Sequence, residues 1–161
     1  MNKQEIYDYL RKEKIAFEVT EHGAVYTMEQ AARLQLPYPE AEAKNLFVRD
    51  DKREHYYLIT VKGDKRIDLK SFRQRNATRR LSFASPEELY RYLGLLPGAV
   101  TPLGLLNDGE NKVKLYLDEE FADGIIGVHP NDNTATVWLK TADLVAIFRV
   151  RGQEVVFTQI E

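Results

Sequence analysis

Cysteine is absent from this 161-residue chain, which removes disulfides, thiolate nucleophiles and cysteine-ligated zinc or iron–sulfur clusters from consideration. Histidine is scarce. His22, His55 and His129 lie far apart, and none sits in a His-x-x-x-His or Glu-x-x-His pattern, so no metal and no cofactor are assigned. No apolar run approaches the length that spans a bilayer, and Met1 to Asp8 lacks the basic-then-apolar order of a secretory signal. A cytoplasmic protein without a membrane partner is expected. Low-complexity tracts, internal repeats and Gly/Ser linkers are also missing, which predicts a single domain over residues 1–161. Ser71, Ser82 and Ser85 have no Gly-x-Ser-x-Gly setting and no evident His–acid partnership, so a serine hydrolase is rejected.

Acidic residues slightly outnumber basic ones, giving a net charge of −2, but the balance is uneven. Between Lys62 and Arg80 stand eight basic residues against two acidic ones, a local +6 that leaves −8 elsewhere. Such a segment attracts a polyanion while the remainder repels it, so it directs docking as well as strengthening it. A solvated helical face with internal ion pairs is the plainer alternative.

Residues Lys3 to Glu13 predict an amphipathic helix with Ile6, Tyr9 and Leu10 on one side. Thr27 to Gln30 has capping-box spacing and predicts a helix ending before Pro37. Lys44 to Val48 and His55 to Val61 predict a hairpin turned by Asp50 to Arg53. Ser85-Pro86-Glu87-Glu88 predicts another helix, ended by Gly94. Strands are expected at Val113 to Leu117, Ile125 to His129, Thr134 to Leu139 and Gln153 to Thr158. A last helix capped at Thr141 to Asp143 precedes the final strand. Strands joined by short turns pair antiparallel, so the interleaving argues for α+β over a doubly wound parallel sheet.

Three segments combine residue types suited to chemistry on an ester. Gly98-Ala99-Val100-Thr101-Pro102 allows close backbone approach, with consecutive N–H groups able to face a developing oxyanion; a plain turn is the alternative. Lys44 opens a predicted strand, where its ammonium can hold a phosphate or an ester oxygen, although most strand-end lysines are simply solvated. Asn45 offers two donors and an acceptor, yet neighbours in a strand point to opposite faces, so one of this pair can be supporting structure. His129 leads into Pro130-Asn131-Asp132-Asn133-Thr134, where Asn131 and Asn133 suit a turn and Thr134 is a weaker pocket candidate. Arg79 and Arg80 are first choices for contacts to phosphates or bases, with Lys65, Arg66, Arg73 and Arg75 second.

Taken together, Lys44-Asn45, the Gly98 to Pro102 loop and Gly127-Val128-His129 through Thr136 resemble the YbaK/prolyl-tRNA synthetase editing-domain family, most closely its freestanding alanine-specific branch. The resemblance covers most of the chain. It implies a strongly curved, barrel-like mixed, mostly antiparallel sheet with peripheral helices and a small surface pocket. It also implies metal-independent hydrolysis of mischarged Ala-tRNA(Pro) in trans. Lys44 and Gly98 would then be the catalytic residues, with Asn45, Ala99, Val100, Thr101, Pro102, His129 and Thr134 lining the substrate site. The basic segment would meet the acceptor stem and 3′ end of the tRNA. Prolyl-tRNA synthetase or an elongation factor is a candidate transient partner. Cys-tRNA(Pro) hydrolysis is the catalytic alternative, and a noncatalytic tRNA-binding module or a small-molecule sensor of the same fold are the others.

Overall fold

The computed structural model describes residues 1–24, 29–30, 33–63 and 65–160; the capping box expected at Thr27 to Gln30 lies partly outside this set, since its capping residue Thr27 is not among them. Helix α1 (Lys3–Lys12) starts with a capping box between Asn2 and Glu5 and buries Ile6, Tyr7 and Leu10. Strand β1 (Phe17–Glu21) follows. The predicted hairpin forms as β2 (Ala43–Asp50) and β3 (Tyr56–Lys62), paired antiparallel with Lys44 opposite Val61 and Asn45 opposite Thr60. Its turn is held by buried Asp50, whose Oδ1 accepts from the N–H groups of Glu54 and His55 at 2.9 and 3.3 Å.

Within the basic segment, helix α2 (Leu69–Asn76) is capped by Asp68 and ends at Ala77 in the left-handed region. Strand β4 (Leu81–Phe83) then leads into helix α3 (Pro86–Leu93). The expected Ser85/Glu88 capping box is present on α3, and Gly94, at φ 66°, ends it. After a 3-10 turn over Pro102–Asn107 come β5 (Val113–Asp118), β6 (Ile125–Val128), β7 (Ala135–Lys140), helix α4 (Thr141–Val150) and β8 (Val155–Thr158).

The strands form a five-stranded sheet ordered β4-β2-β3-β5-β8 and a three-stranded sheet ordered β1-β7-β6. Strand β5 runs parallel to both β3 and β8, while the other four pairings are antiparallel. The fold is therefore α+β with mixed, mostly antiparallel sheets, although the sheets do not close into one barrel. The main core draws Phe47, Leu58, Leu115 and Leu117 from the larger sheet, Ile126, Val128, Val137 and Leu139 from the smaller, and apolar residues from α1, α3 and α4. A second cluster lies beneath α2, where Phe72 packs with Val48, Ile59, Val61 and Tyr116.

Two local expectations need correction. Tyr7, not Tyr9, is the buried tyrosine of α1, because the helix rotates its charged residues outward around Ile6 and Leu10. Thr141 does not cap α4: Lys140 takes the cap position without a side-chain bond, and Thr141 is buried as the first helical residue. Strand β7 runs straight into this helix, and the Thr141 N–H donates to Gly124 O at 3.0 Å, pulling the residue inward.

Candidate active site

The start of β2 meets the edge of the smaller sheet through an isolated parallel bridge between Glu42 and Gly127. Lys44 and His129 each lie two residues beyond this bridge in the parallel sense, so the bridge brings their segments together. The Gly98 loop reaches the same place, because the Thr101 hydroxyl donates to His129 O at 2.6 Å. The fold thus brings together three segments that lie far apart in sequence. Lys44 is half-buried and makes no ion pair among the described residues.

Within the loop, Gly98 adopts φ 92°, a conformation costly for residues with a Cβ. The Ala99 N–H donates to Leu96 O at 3.1 Å, so it is committed to the turn and is not an oxyanion donor. Thr101 is fully buried: besides donating to His129 O, its hydroxyl accepts from the Leu103 N–H at 3.3 Å. Ala99 and Pro102 are buried as well, which leaves Gly98 exposed and Val100 half-buried as the loop's accessible part. Of the four loop residues expected to line the substrate site, Val100 is half-buried, while Ala99, Thr101 and Pro102 are buried and hold the loop's shape.

Asn45 faces into the larger sheet, accepting from the Thr60 hydroxyl at 2.6 Å. Ala43 and Phe47 on the same side join the main core, while Leu46 packs against the second cluster. Strand alternation therefore separates Lys44 from Asn45, as their adjacency predicts. Thr134 is also held from behind, donating to Asp132 Oδ1 at 2.5 Å and accepting from Lys3 Nζ at 2.9 Å.

His129 carries a specific tautomer. Its Nδ1 lies 2.9 Å from Ala135 O, and a carbonyl can only accept, so Nδ1 holds the proton and Nε2 keeps its lone pair. Burial pushes its pKa down, with the neighbouring His22 adding to the effect and the Ala135 bond opposing it. The His22 ring centre is 6.2 Å from that of His129, with its Nδ1 2.9 Å from Gly23 O and its Nε2 3.0 Å from the Thr136 hydroxyl. Nearby, burial raises the carboxyl of Glu42, although His22 opposes that shift. No role for His22, Glu42 or Thr136 was legible in the sequence, because the pairing of β7 with both β1 and β6 and the bridge to β2 place them beside His129.

The His129 shift has a defined consequence for stability. Its folded pKa lies below the unfolded value of about 6.5, so the unfolded chain binds more protons as pH falls. The stability tied to neutral His129 is complete above that value and is lost as pH drops through the lowered folded pKa. Thermal unfolding followed from pH 8 to pH 5 should show this decline, and His129→Gln should flatten it.

Gly127 is needed for contact. A Cβ there would lie 2.2 Å from Cζ3 of Trp138, which cannot swing freely because its Nε1 donates to the Thr20 hydroxyl at 2.9 Å and its ring meets Tyr38 edge-on. Gly127→Ala is expected to cost about 1–3 kcal/mol in urea unfolding through overpacking. It should also shift the fluorescence of Trp138, the one tryptophan.

Among the basic candidates, Lys65 is anchored inward: it donates to Asp118 Oδ2 at 2.8 Å and to Ile160 O at 3.0 Å, and it pairs with Glu120. Arg79 grips Asp51 through two bonds of 2.6 and 3.0 Å. Arg66, Arg73 and Arg80 form no ion pair among the described residues. Arg80 adjoins Leu81, which pairs with Asp50, about 20 Å along β2 from Lys44 at roughly 3.3 Å per residue.

The aminoacyl-tRNA editing domain family matches residues 22–147, a span that contains Lys44, the Gly98 loop and His129. The chain belongs to the aminoacyl-tRNA editing domain family. It is 38% identical to the prolyl-tRNA editing protein ProX of Acetoanaerobium sticklandii, over 93% of this chain and 92% of that protein. It is 32% identical to prolyl-tRNA synthetase associated domain-containing protein 1 of Mus musculus, over 87% of this chain and 85% of the relative. A solved structure described as a candidate trans-editing enzyme for prolyl tRNA synthetase superposes with a TM-score of 0.71 at 22% identity, covering 99% and 96% of the two chains. The hypothetical protein APE2540 gives 0.70 at 18% identity, covering 97% and 98%. These two likenesses establish the fold. Editing by this family is deacylation, the hydrolysis of the ester joining an amino acid to tRNA, and this editing domain is an enzyme of that class. No helix among its described residues is long and apolar enough to cross a membrane.

Proposed function

We propose that this editing domain releases alanine from mischarged tRNA for proline, acting in trans in the cytoplasm. The likeness to the prolyl-tRNA editing protein ProX along nearly the whole of both chains carries the prolyl assignment. Alanine rests on the resemblance of the sequence to the freestanding alanine-specific branch of the family, and an energetic argument agrees with it. A synthetase pocket shaped for proline rejects a smaller amino acid by only about 1–3 kcal/mol per missing methylene, so a second, smaller sieve is needed.

The reaction needs a placed ester, an attacking water, a proton acceptor and stabilisation of the oxyanion. Lys44 supplies positive charge where the carbonyl oxygen gains its negative charge, and the N–H groups of Gly98 and Val100 are the loop's candidate donors. Nε2 of His129, neutral and unprotonated, can accept a proton from water or from the terminal ribose hydroxyl. The ribose hydroxyl beside the ester can shoulder part of the activation, so correct placement supplies much of the rate. Asn45, Thr101 and Thr134 act as positioning residues through Thr60, His129 and Asp132. Arg66, Arg73 and Arg80 meet the acceptor stem, whereas Lys65 serves the fold.

The test is single-turnover hydrolysis of Ala-tRNA(Pro), Cys-tRNA(Pro), Pro-tRNA(Pro) and Ala-tRNA(Ala). Rapid release from Ala-tRNA(Pro) alone is expected. Cleavage of the cysteinyl ester instead would reassign the amino acid, and intact tRNA binding without any release would leave a noncatalytic module.

A further inference from the structure

Among the described residues, exposed large apolar side chains are few, and half of them fall in one stretch: Phe83 is 63% exposed, Tyr90 64% and Leu96 66%. Phe83 ends β4, the outer strand of the larger sheet; Tyr90 lies on the outer face of α3; Leu96 precedes the Gly98 loop. Helix α3 spans about 12 Å at 1.5 Å per residue, so the three mark a path from the sheet edge to the candidate active site.

Beside this path lies an open groove of about 490 Å³, lined by Arg49, Arg53, Arg91, Phe83, Tyr92 and Glu88 among others. Glu88 is its lining carboxylate and is already engaged: it pairs with Arg49 at 3.3 Å and accepts from Tyr56 at 2.5 Å. Burial opposes its ionisation, yet the bonds from Tyr56 and Ser85 and the charge of Arg49 hold its pKa down at about 2. Arg53 and Arg91 form no ion pair among the described residues, and the Arg91 guanidinium sits 5.5 Å over the Tyr92 ring. The groove therefore presents two guanidinium groups free of ion pairs among the described residues beside exposed rings, with Glu54 next to Arg53 and Glu87 one turn before Arg91 as the exposed carboxylates adjoining them. Asp51, at the neighbouring turn, is matched by Arg79.

Planar guanidinium groups and exposed aromatic rings are what an unpaired nucleic-acid strand requires, since bases stack on rings and phosphates meet arginine. We infer that the outer face of α3 and the β4 edge hold the RNA of the substrate, with bases against Tyr90 and Phe83 and phosphates on Arg53 and Arg91. This inference rests on the proposed tRNA substrate. A strand whose 3′ end enters beside Gly98 passes Leu96, Tyr90 and Phe83 in turn, then reaches Arg80 just before β4. The surface lies across the larger sheet from α2, so it extends the RNA contact beyond the basic segment.

Two variants test it: Phe83→Ala/Tyr90→Ala and Arg53→Gln/Arg91→Gln, each assayed on alanyl-tRNA(Pro) and on alanyl-adenosine, which presents the ester and terminal nucleoside only. Both variants should raise KM for the whole tRNA about tenfold and leave kcat/KM for alanyl-adenosine unchanged. The arginine variant should also reduce the slope of log affinity against log salt by about 1 to 2. Unchanged tRNA binding and kinetics would overturn the inference. Loss of affinity for prolyl-tRNA synthetase with RNA binding intact would also overturn it, making the surface a protein contact. If wild type cleaves neither ester yet binds tRNA in a manner these variants weaken, the deacylase reading falls and the RNA surface stands.

Discussion

Lys44→Ala is expected to lower kcat/KM for Ala-tRNA(Pro) by about 10²–10³, the loss typical of removing one group that faces a developing oxyanion. The expectation follows from placement. Lys44 lies two residues beyond the Glu42–Gly127 bridge, as His129 does on the other chain segment, and on the strand face opposite Asn45. The side chain makes no ion pair among the described residues, so its removal breaks no internal bond and the melting temperature should change little. Lys44→Met keeps the length and apolar stem but not the charge, and should be as impaired as alanine. Lys44→Arg should recover part of the rate. The loss should fall mainly on kcat, because a charge that acts on the transition state contributes little to ground-state binding. Single-turnover rates at saturating and limiting enzyme separate the two effects. If Lys44→Ala raised KM with kcat unchanged, Lys44 would hold the RNA and the oxyanion would depend on the loop and His129.

The meeting of the Lys44 and His129 segments at the Glu42–Gly127 bridge shows what the sequence could and could not convey. Local chemistry wrote the elements plainly: the β2–β3 hairpin, the Ser85 capping box and Gly94 as terminator are all present, because each depends on residues within a few positions. The parallel pairings of β5 with β3 and β8 were not legible, since long crossovers decide them and no short-range signal marks them. The same limit applies at the site. The motifs named Gly98 to Pro102 and His129, but which loop residues remain accessible depended on long-range bonds such as Thr101 to His129. His22 and Thr136 join the site only through the register of β1 with β7. Charge was the least transparent feature. Eight basic residues look alike between Lys62 and Arg80, yet Lys65 and Arg79 are committed to carboxylates far away in sequence.

Lys65 gives the sharpest separation of a structural cation from an RNA-binding one. Asp118 is fully buried; one of its oxygens accepts from Lys65 and from the Lys62 N–H at 3.0 Å, the other from the Glu120 N–H at 3.1 Å. Lys65→Met would leave this carboxylate buried without its cation. Breaking a buried pair costs about 3–5 kcal/mol, and because the lysine is partly open to solvent and two backbone bonds remain, about 2–3 kcal/mol is expected in urea unfolding. Burial alone would lower the Lys65 pKa, but Asp118 and Glu120 outweigh it and raise the value above the ordinary one. A raised pKa on a base stabilises the folded chain below the unfolded pKa of about 10.4, and this is lost only as pH rises through the folded value. The difference between wild type and Lys65→Met should therefore persist across neutral pH and shrink in strong alkali, where the lysine loses its charge. Asp118→Asn should also destabilise, and the double variant should lose less than the two single losses combined, because it removes the unpaired charge. The salt dependence of tRNA binding should be the same in Lys65→Met as in wild type, whereas Arg80→Gln should reduce it while leaving stability unchanged. A drop in the salt slope for Lys65→Met equal to that for Arg80→Gln would return Lys65 to the RNA surface and show that its carboxylate partners release it when the polyanion arrives.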